Sequence, residues 1–160
     1  VLHRGVVVRA FTIQDIDEIF TIRNAMMMLI LPSVIENVTP EALQKLRAIL
    51  TEMDGAQERA DAAALATLNR AFHGTIEHLS DKIRILRVIE SQEEYIIRFS
   101  AMTIASIVRR SNAHQEHHQM VELLEKRDLP GMMTLMQHHL EESKETCLQA
   151  ITNRQREANK

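Results

Sequence analysis

Apolar side chains recur three and four residues apart along most of this chain, and almost nothing interrupts them. Ile16, Ile19, Phe20, Met27 and Ile30 form one stripe; Leu43, Leu46, Ile49, Leu50 and Met53 form a second; Leu65, Leu68, Phe72, Ile76 and Leu79 form a third. This is the period of an α-helix, about 3.6 residues, and not the two-residue alternation of a strand. Only 4 glycines and 3 prolines occur in 160 residues, and Ala, Leu, Ile, Met, Glu and Gln are abundant. That usage favours helix over sheet. A hydrophobic content of 45% is enough to build the core of one domain.

Start and stop signals divide the helical run. Thr12 with Asp15 three residues on forms a capping-box start. Pro32 is expected to break or kink the first helix, leaving a short apolar piece over 33–38. Thr39-Pro40-Glu41 restarts a helix: an N-cap, a proline at the first position and an acid in the first turn. Asp54-Gly55 should end it. The third helix runs from about Asp61 to Leu79, and Ser80-Asp81 breaks the chain again. Lys82 to Arg110 is mostly helical, with Ser91 marking a join. Arg109-Arg110-Ser111-Asn112 reads as a polar loop before a helix that ends near Arg127. Asp128-Leu129-Pro130-Gly131 is a tight connection, with Asp128 capping the last helix. Residues 1–11 stand apart, since Val6, Val7 and Val8 are β-branched and follow Gly5, as in a short strand or extended arm. At the other end, residues 156–160 are expected to fray. The segment 12–155 is thus the main domain.

Several polar residues fall where the stripes predict burial. Arg23 lies mid-stripe, and a guanidinium stays charged when buried, so it needs either a carboxylate on another helix or a bound anion. Arg98, between Ile97 and Phe99, is a second partly buried cation, with snorkelling from a helix edge as the plainer account. Asn69 and His73 are one turn apart on the inward side of the third helix. Periodicity turns His117 inward from the next-to-last helix and His139 inward from the last, whereas His78, His118 and His138 point away. One inward imidazole from each of three helices is a candidate site for Zn, Ni or a similar divalent metal. Three separate, hydrogen-bonded core histidines would give the same pattern. His114 and His118, also four apart, form a rival surface chelate for which spacing supplies no third ligand.

The set Asn69-x3-His73, His117 and His139-Leu140, with Asp128 after the next-to-last helix and Arg23 on the first, resembles the FCD domain. FCD domains are the C-terminal effector-sensing domains of FadR-type regulators in the GntR family of bacterial transcription factors. The resemblance covers almost the whole chain and implies an all-α antiparallel bundle of six or seven helices around a central ligand cavity. It implies a small carboxylate or sugar-acid effector, often bound beside a divalent metal, with Arg23 and Arg98 as effector contacts and His73, His117 and His139 as metal ligands. It further implies a homodimer whose DNA-binding winged-helix domains lie upstream of this chain, with residues 1–11 as the end of that domain or its linker. Asn69 stands where the family usually has Asp, so a metal here would have only neutral protein ligands. Met27 stands where the family often has Glu, which leaves Arg23 in greater need of an external carboxylate.

Charge and composition set further bounds. The formal net charge is -3, so this segment is not built to grip a phosphate backbone unaided. A single cysteine excludes an internal disulfide and suits a reducing cytoplasm. No apolar run approaches the ~18 residues needed to span a bilayer, and no membrane association is expected. A helical-bundle metalloenzyme is the alternative function, because three histidines with open positions resemble a catalytic zinc site. No inward Glu or Asp is evident near the motif to act as a general base, which weighs against it.

Overall fold

The computed structural model describes residues 11–158. Seven α-helices make up these residues: α1 (Ile13–Asn37), α2 (Pro40–Glu58), α3 (Ala62–Glu77), α4 (Ile83–Ser91), α5 (Glu93–Ala105), α6 (Ile107–Glu125) and α7 (Leu129–Ala158). There is no strand among the described residues, and the expected arm at Gly5–Arg9 lies outside them. The main packing pairs are α1 on α7, α2 on α3 and α6 on α7.

The caps of α1 and α2 sit where the sequence places them. The Thr12 hydroxyl accepts from the Asp15 N–H at 3.0 Å, and the Asp15 carboxylate accepts from the Thr12 N–H at 2.8 Å. Thr39 caps α2 and Asp61 caps α3. The connection before α7 is equally specific. Gly131 N–H donates to Asp128 Oδ1 at 3.0 Å, and a Cβ at Gly131 would lie 2.5 Å from Asp128 Oδ2 and 2.8 Å from Leu123 Cδ2. Gly131→Ala should therefore push this cap apart at a cost of about 1–2 kcal/mol, lowering Tm by several degrees. A thermal melt of the variant within one degree of wild type would refute that.

Three boundaries differ from the sequence expectation. Pro32 sits inside α1 without ending it, because Leu31, Ser33, Val34 and Ile35 around it are all buried and packing holds the helix together. Gly55 does not end α2 either. The helix continues to Glu58, and the turn is made by Ala60 at φ 53°, with Asp61 N–H bonded to Ala56 O at 2.9 Å. The residues 109–112, expected as a loop, form the first turns of α6, whose N-cap is Ser106, with its hydroxyl accepting from Arg109 N–H at 3.3 Å. At the C-terminus, Arg156 and Glu157 remain helical.

Continuity through Pro32 also alters the membrane argument. As one 25-residue helix with an 18-residue window of mean hydropathy 1.4, α1 is long and apolar enough to cross a bilayer by length and composition. It also carries Arg23 in a buried ion pair, and ten of its residues are buried. These are the features of a core helix.

The apolar interior has two parts. One joins Met27, Ile30, Leu31 and Val34 of α1 to α2, α3, α6 and the first half of α7. The other joins Ile16, Ile19 and Phe20 to Phe99, Cys147 and Ile151. Along α1, Arg23 lies between the two parts. Along α7 the change falls between Leu140 and Cys147, just after His139. A polar layer crosses the bundle at this boundary, and the candidate site occupies it.

Candidate metal and effector site

His73 on α3, His117 on α6 and His139 on α7 are 4%, 1% and 5% exposed. Their rings form a nearly equilateral triangle, with centroids 5.0 Å (His73–His117), 5.1 Å (His73–His139) and 5.0 Å (His117–His139) apart. One ligating nitrogen from each lies within 4.8 Å of the others. The inward set read from periodicity therefore does converge. Phe72 backs it, its ring 4.5 Å from that of His117.

The hydrogen-bonding of the three rings is incomplete. His73 Nε2 and His117 Nε2 are 3.2 Å apart, and Nδ1 of both rings is buried without a partner. Burial, reinforced by the neighbouring imidazoles, holds His73 and His117 well below the ordinary value of 6.5. Burial also lowers His139, against an opposing pull from Glu116. All three are thus neutral near pH 7, each with one lone pair and one N–H. Imidazole nitrogens held this close in a buried layer suit a cation. Two tetrahedral zinc ligands at 2.0–2.1 Å lie roughly 3.3 Å apart, close to the His73–His117 spacing. The donor set fits a divalent metal of the zinc type.

His139 is held by a pair that the sequence did not reveal. Glu116 Oε2 lies 2.6 Å from His139 Nδ1, and Arg109 grips Glu116 through both carboxylate oxygens at 3.0 and 2.8 Å. Arg109 Nη2 also donates to His139 O at 2.9 Å. Nη2 lies 3.1 Å from Nδ1 as well, but a donor cannot bond to a nitrogen that is itself donating. The shorter carboxylate contact places the proton on Nδ1 and leaves Nε2 as the ligating atom. Burial opposes ionisation of Glu116, yet His139 and Arg109 outweigh it and lower the carboxyl to about 2.

Arg23 finds its carboxylate within the chain. Its Nη2 donates to Glu77 Oε1 at 3.3 Å, and Arg70 donates to Glu77 Oε2 at 2.9 Å and to Glu93 Oε1 at 2.8 Å. Glu77 and Glu116 are thus inward carboxylates near the triad, contrary to the expectation that none existed. Both are tied to arginines, which suits them to positioning rather than to proton transfer. Glu77 was detectable in principle, since it falls one turn after His73 on the same face of α3.

A cavity of about 60 Å³ opens beside the triad, walled by Arg23, Asn69, His73, Ser100, His139 and Ser143 among others. Arg23 Nη1 is buried with no partner. Asn69 donates from its amide nitrogen to Ser100 Oγ at 3.3 Å, so its oxygen is the atom with ligand chemistry. Arg98 is not among the lining residues; its guanidinium lies 3.9 Å over the ring of Phe11. A smaller cavity of about 30 Å³ adjoins, sharing Asn69, Thr103 and Ala113 and reaching His117 and His114.

With this geometry in hand, comparison with known proteins is decisive about family. Residues 18–142 match the FCD domain. The chain belongs to the FCD family. A search of curated proteins finds 31% identity over 87 residues with the HTH-type transcriptional regulator McbR of Escherichia coli (strain K12), a stretch that is 51% of this chain and 39% of that protein. A solved structure of E. coli McbR/YncC shares the fold at TM-score 0.81 and 21% identity, covering 91% of this chain and 69% of that one. The curated match thus spans well under half of its relative's length. Both similarities are to a transcriptional regulator, not to an enzyme. The buried triad of this FCD domain is consistent with a metal site.

Proposed function

We propose that this FCD domain is the sensing part of a GntR-type transcriptional regulator, and that its cavity binds a small carboxylate. The carrying observation is the cavity flanked by two histidines of the triad and by a buried Arg23 guanidinium with a free Nη1. In this reading His73, His117 and His139 hold a divalent cation, with Asn69 as a weak fourth donor, and the metal supplies a positive charge to which a carboxylate can bind. The surrounding charges favour an anion. Arg109 is balanced by Glu116, and Arg23 and Arg70 by Glu77 and Glu93. The charge of the cation would be left uncompensated, and an acidic effector would neutralise it. At roughly 10–15 Å³ per water-sized group, the cavity takes an acid of a few heavy atoms, whereas a full sugar acid requires the helices to part. Operator binding belongs to a winged-helix domain outside this chain, in a homodimer acting in the cytoplasm. A net charge of -3 fits that division of labour.

A thermal-shift screen of small carboxylates, with and without zinc, tests this. A few acids should raise Tm and be recovered unchanged. Arg23→Ala should weaken the best of them at least tenfold, and Asn69→Asp should tighten zinc. Consumption of the acid would indicate an enzyme, and no response to any acid would sink the sensing role. Unchanged acid affinity in Arg23→Ala would remove Arg23 from the site.

A further inference from the structure

We infer that this domain has a second divalent-metal site, formed by Asp54 of α2 with His114 and His118 of α6. The two histidines are one helical turn apart, and their rings meet edge-on with centroids 4.8 Å apart at 86°. Asp54 comes from the C-terminal part of α2. Its Oδ1 lies 2.5 Å from His114 Nε2 and 3.9 Å from His118 Nε2, and the two Nε2 atoms are 3.3 Å apart. All three donor atoms fall within 4.8 Å of one another.

Hydrogen bonding accounts for only part of this. A single Nε2 proton on His114 serves Asp54 or His118, not both. Two imidazole nitrogens 3.3 Å apart match the roughly 3.3 Å between tetrahedral zinc ligands, and a carboxylate oxygen completes the three protein donors of an open zinc site. The surroundings differ from those of the inner triad. Asp54 and His118 have side chains 52% and 49% exposed, while His114 is 14% exposed. A bound cation would thus keep water in its open position. Asp54 also supplies the negative charge that the inner triad lacks. The donor set selects a borderline cation such as zinc, nickel or copper, rather than calcium or magnesium, which prefer all-oxygen shells.

The place in the fold gives the site a use. His114 lines the smaller cavity together with His117 and Asn69, and Asn69 also lines the larger one. A cation held here sits beside the smaller cavity, whose lining also includes His117 of the triad. It also bridges α2 to α6, both of which contribute lining residues to that cavity.

The test is zinc titration of the full chain by calorimetry, with chelator competition, on wild type, His118→Ala, Asp54→Asn and His73→Ala. Circular dichroism confirms that each variant is folded. Wild type should take up zinc that His118→Ala and Asp54→Asn each bind at least about tenfold more weakly, and His73→Ala should keep that component. His118 and Asp54 are exposed, so these two variants carry little risk to folding. If wild type also binds a second equivalent that only His73→Ala removes, the inner triad is loaded as well. If every equivalent survives His118→Ala and Asp54→Asn, the outer site is refuted, whatever becomes of the triad. Binding that depends on His118 but appears only at millimolar zinc means an adventitious ion only, and equally refutes it.

Discussion

Replacing Arg109 with methionine should cost the fold about 3–5 kcal/mol, the largest loss expected from any single charged residue here. Arg109 is 3% exposed, and its guanidinium bonds to both Glu116 oxygens, to His139 O and to Ser143 Oγ. Methionine fills much of the same volume, so packing is largely kept. What remains is a buried carboxylate with His139 on one oxygen and the exposed His138 3.8 Å from the other, and two fewer charge-assisted bonds. The double variant Arg109→Met/Glu116→Leu removes the stranded charge together with its partner, and should recover most of the loss. It should not recover metal binding. Without Glu116 nothing fixes the Nδ1 proton of His139, and zinc affinity at the triad should fall by roughly 10–100-fold. Urea unfolding gives the stabilities, and zinc competition gives the affinities. A single-variant loss below 1 kcal/mol would mean that the pair is solvated and positions nothing.

The contrast between this pair and the triad shows what the sequence could reveal. His73, His117 and His139 are each embedded in an apolar stripe, and a stripe that is buried takes its polar members with it. Their inward direction was therefore readable one helix at a time. Arg109 and Glu116 carry no such signal. At the start of α6 the usual polarity is inverted: Ile107 and Val108 are 72% and 71% exposed while Arg109 is buried. Any hydrophobic pattern puts Arg109 outside, and Arg109-Arg110-Ser111-Asn112 looks like a solvated loop. What overrides the pattern is a partner two turns on and a histidine on another helix, and that is tertiary information. Pro32 and Gly55 mislead for a related reason. Both are local helix breakers, and both sit where neighbouring buried side chains fix the backbone. Arg23 is an intermediate case. Its burial was legible, and so was its need for a carboxylate, but the choice between Glu77 and an external acid was not. The structure supplies the first while leaving Nη1 free for the second.

The metal-free domain should be unusually sensitive to mild acid. The sign follows from the histidines. In the unfolded chain an imidazole takes up its proton near 6.5, while in the fold all three triad rings have lowered values. The unfolded state therefore binds more protons below 6.5, and stability falls as pH falls. Each proton refused by the fold costs about 1.4 kcal/mol per pH unit, so three rings cost up to about 4 kcal/mol per unit. Glu116 deepens the loss further down, since its carboxyl titrates near 4.5 when unfolded and about 2 when folded. Above 6.5 the contribution is fully present and the curve should be flat. Zinc should shift the transition to lower pH, because a coordinated imidazole nitrogen has no lone pair to protonate. Urea unfolding in chelator at pH 7.5, 6.5 and 5.5, repeated with saturating zinc, measures both effects. Equal stability at 7.5 and 5.5 in chelator would mean that the three rings are hydrated and protonate freely, and the buried triad would then be wrong as drawn. A steep loss that zinc leaves untouched would keep the burial and remove the metal.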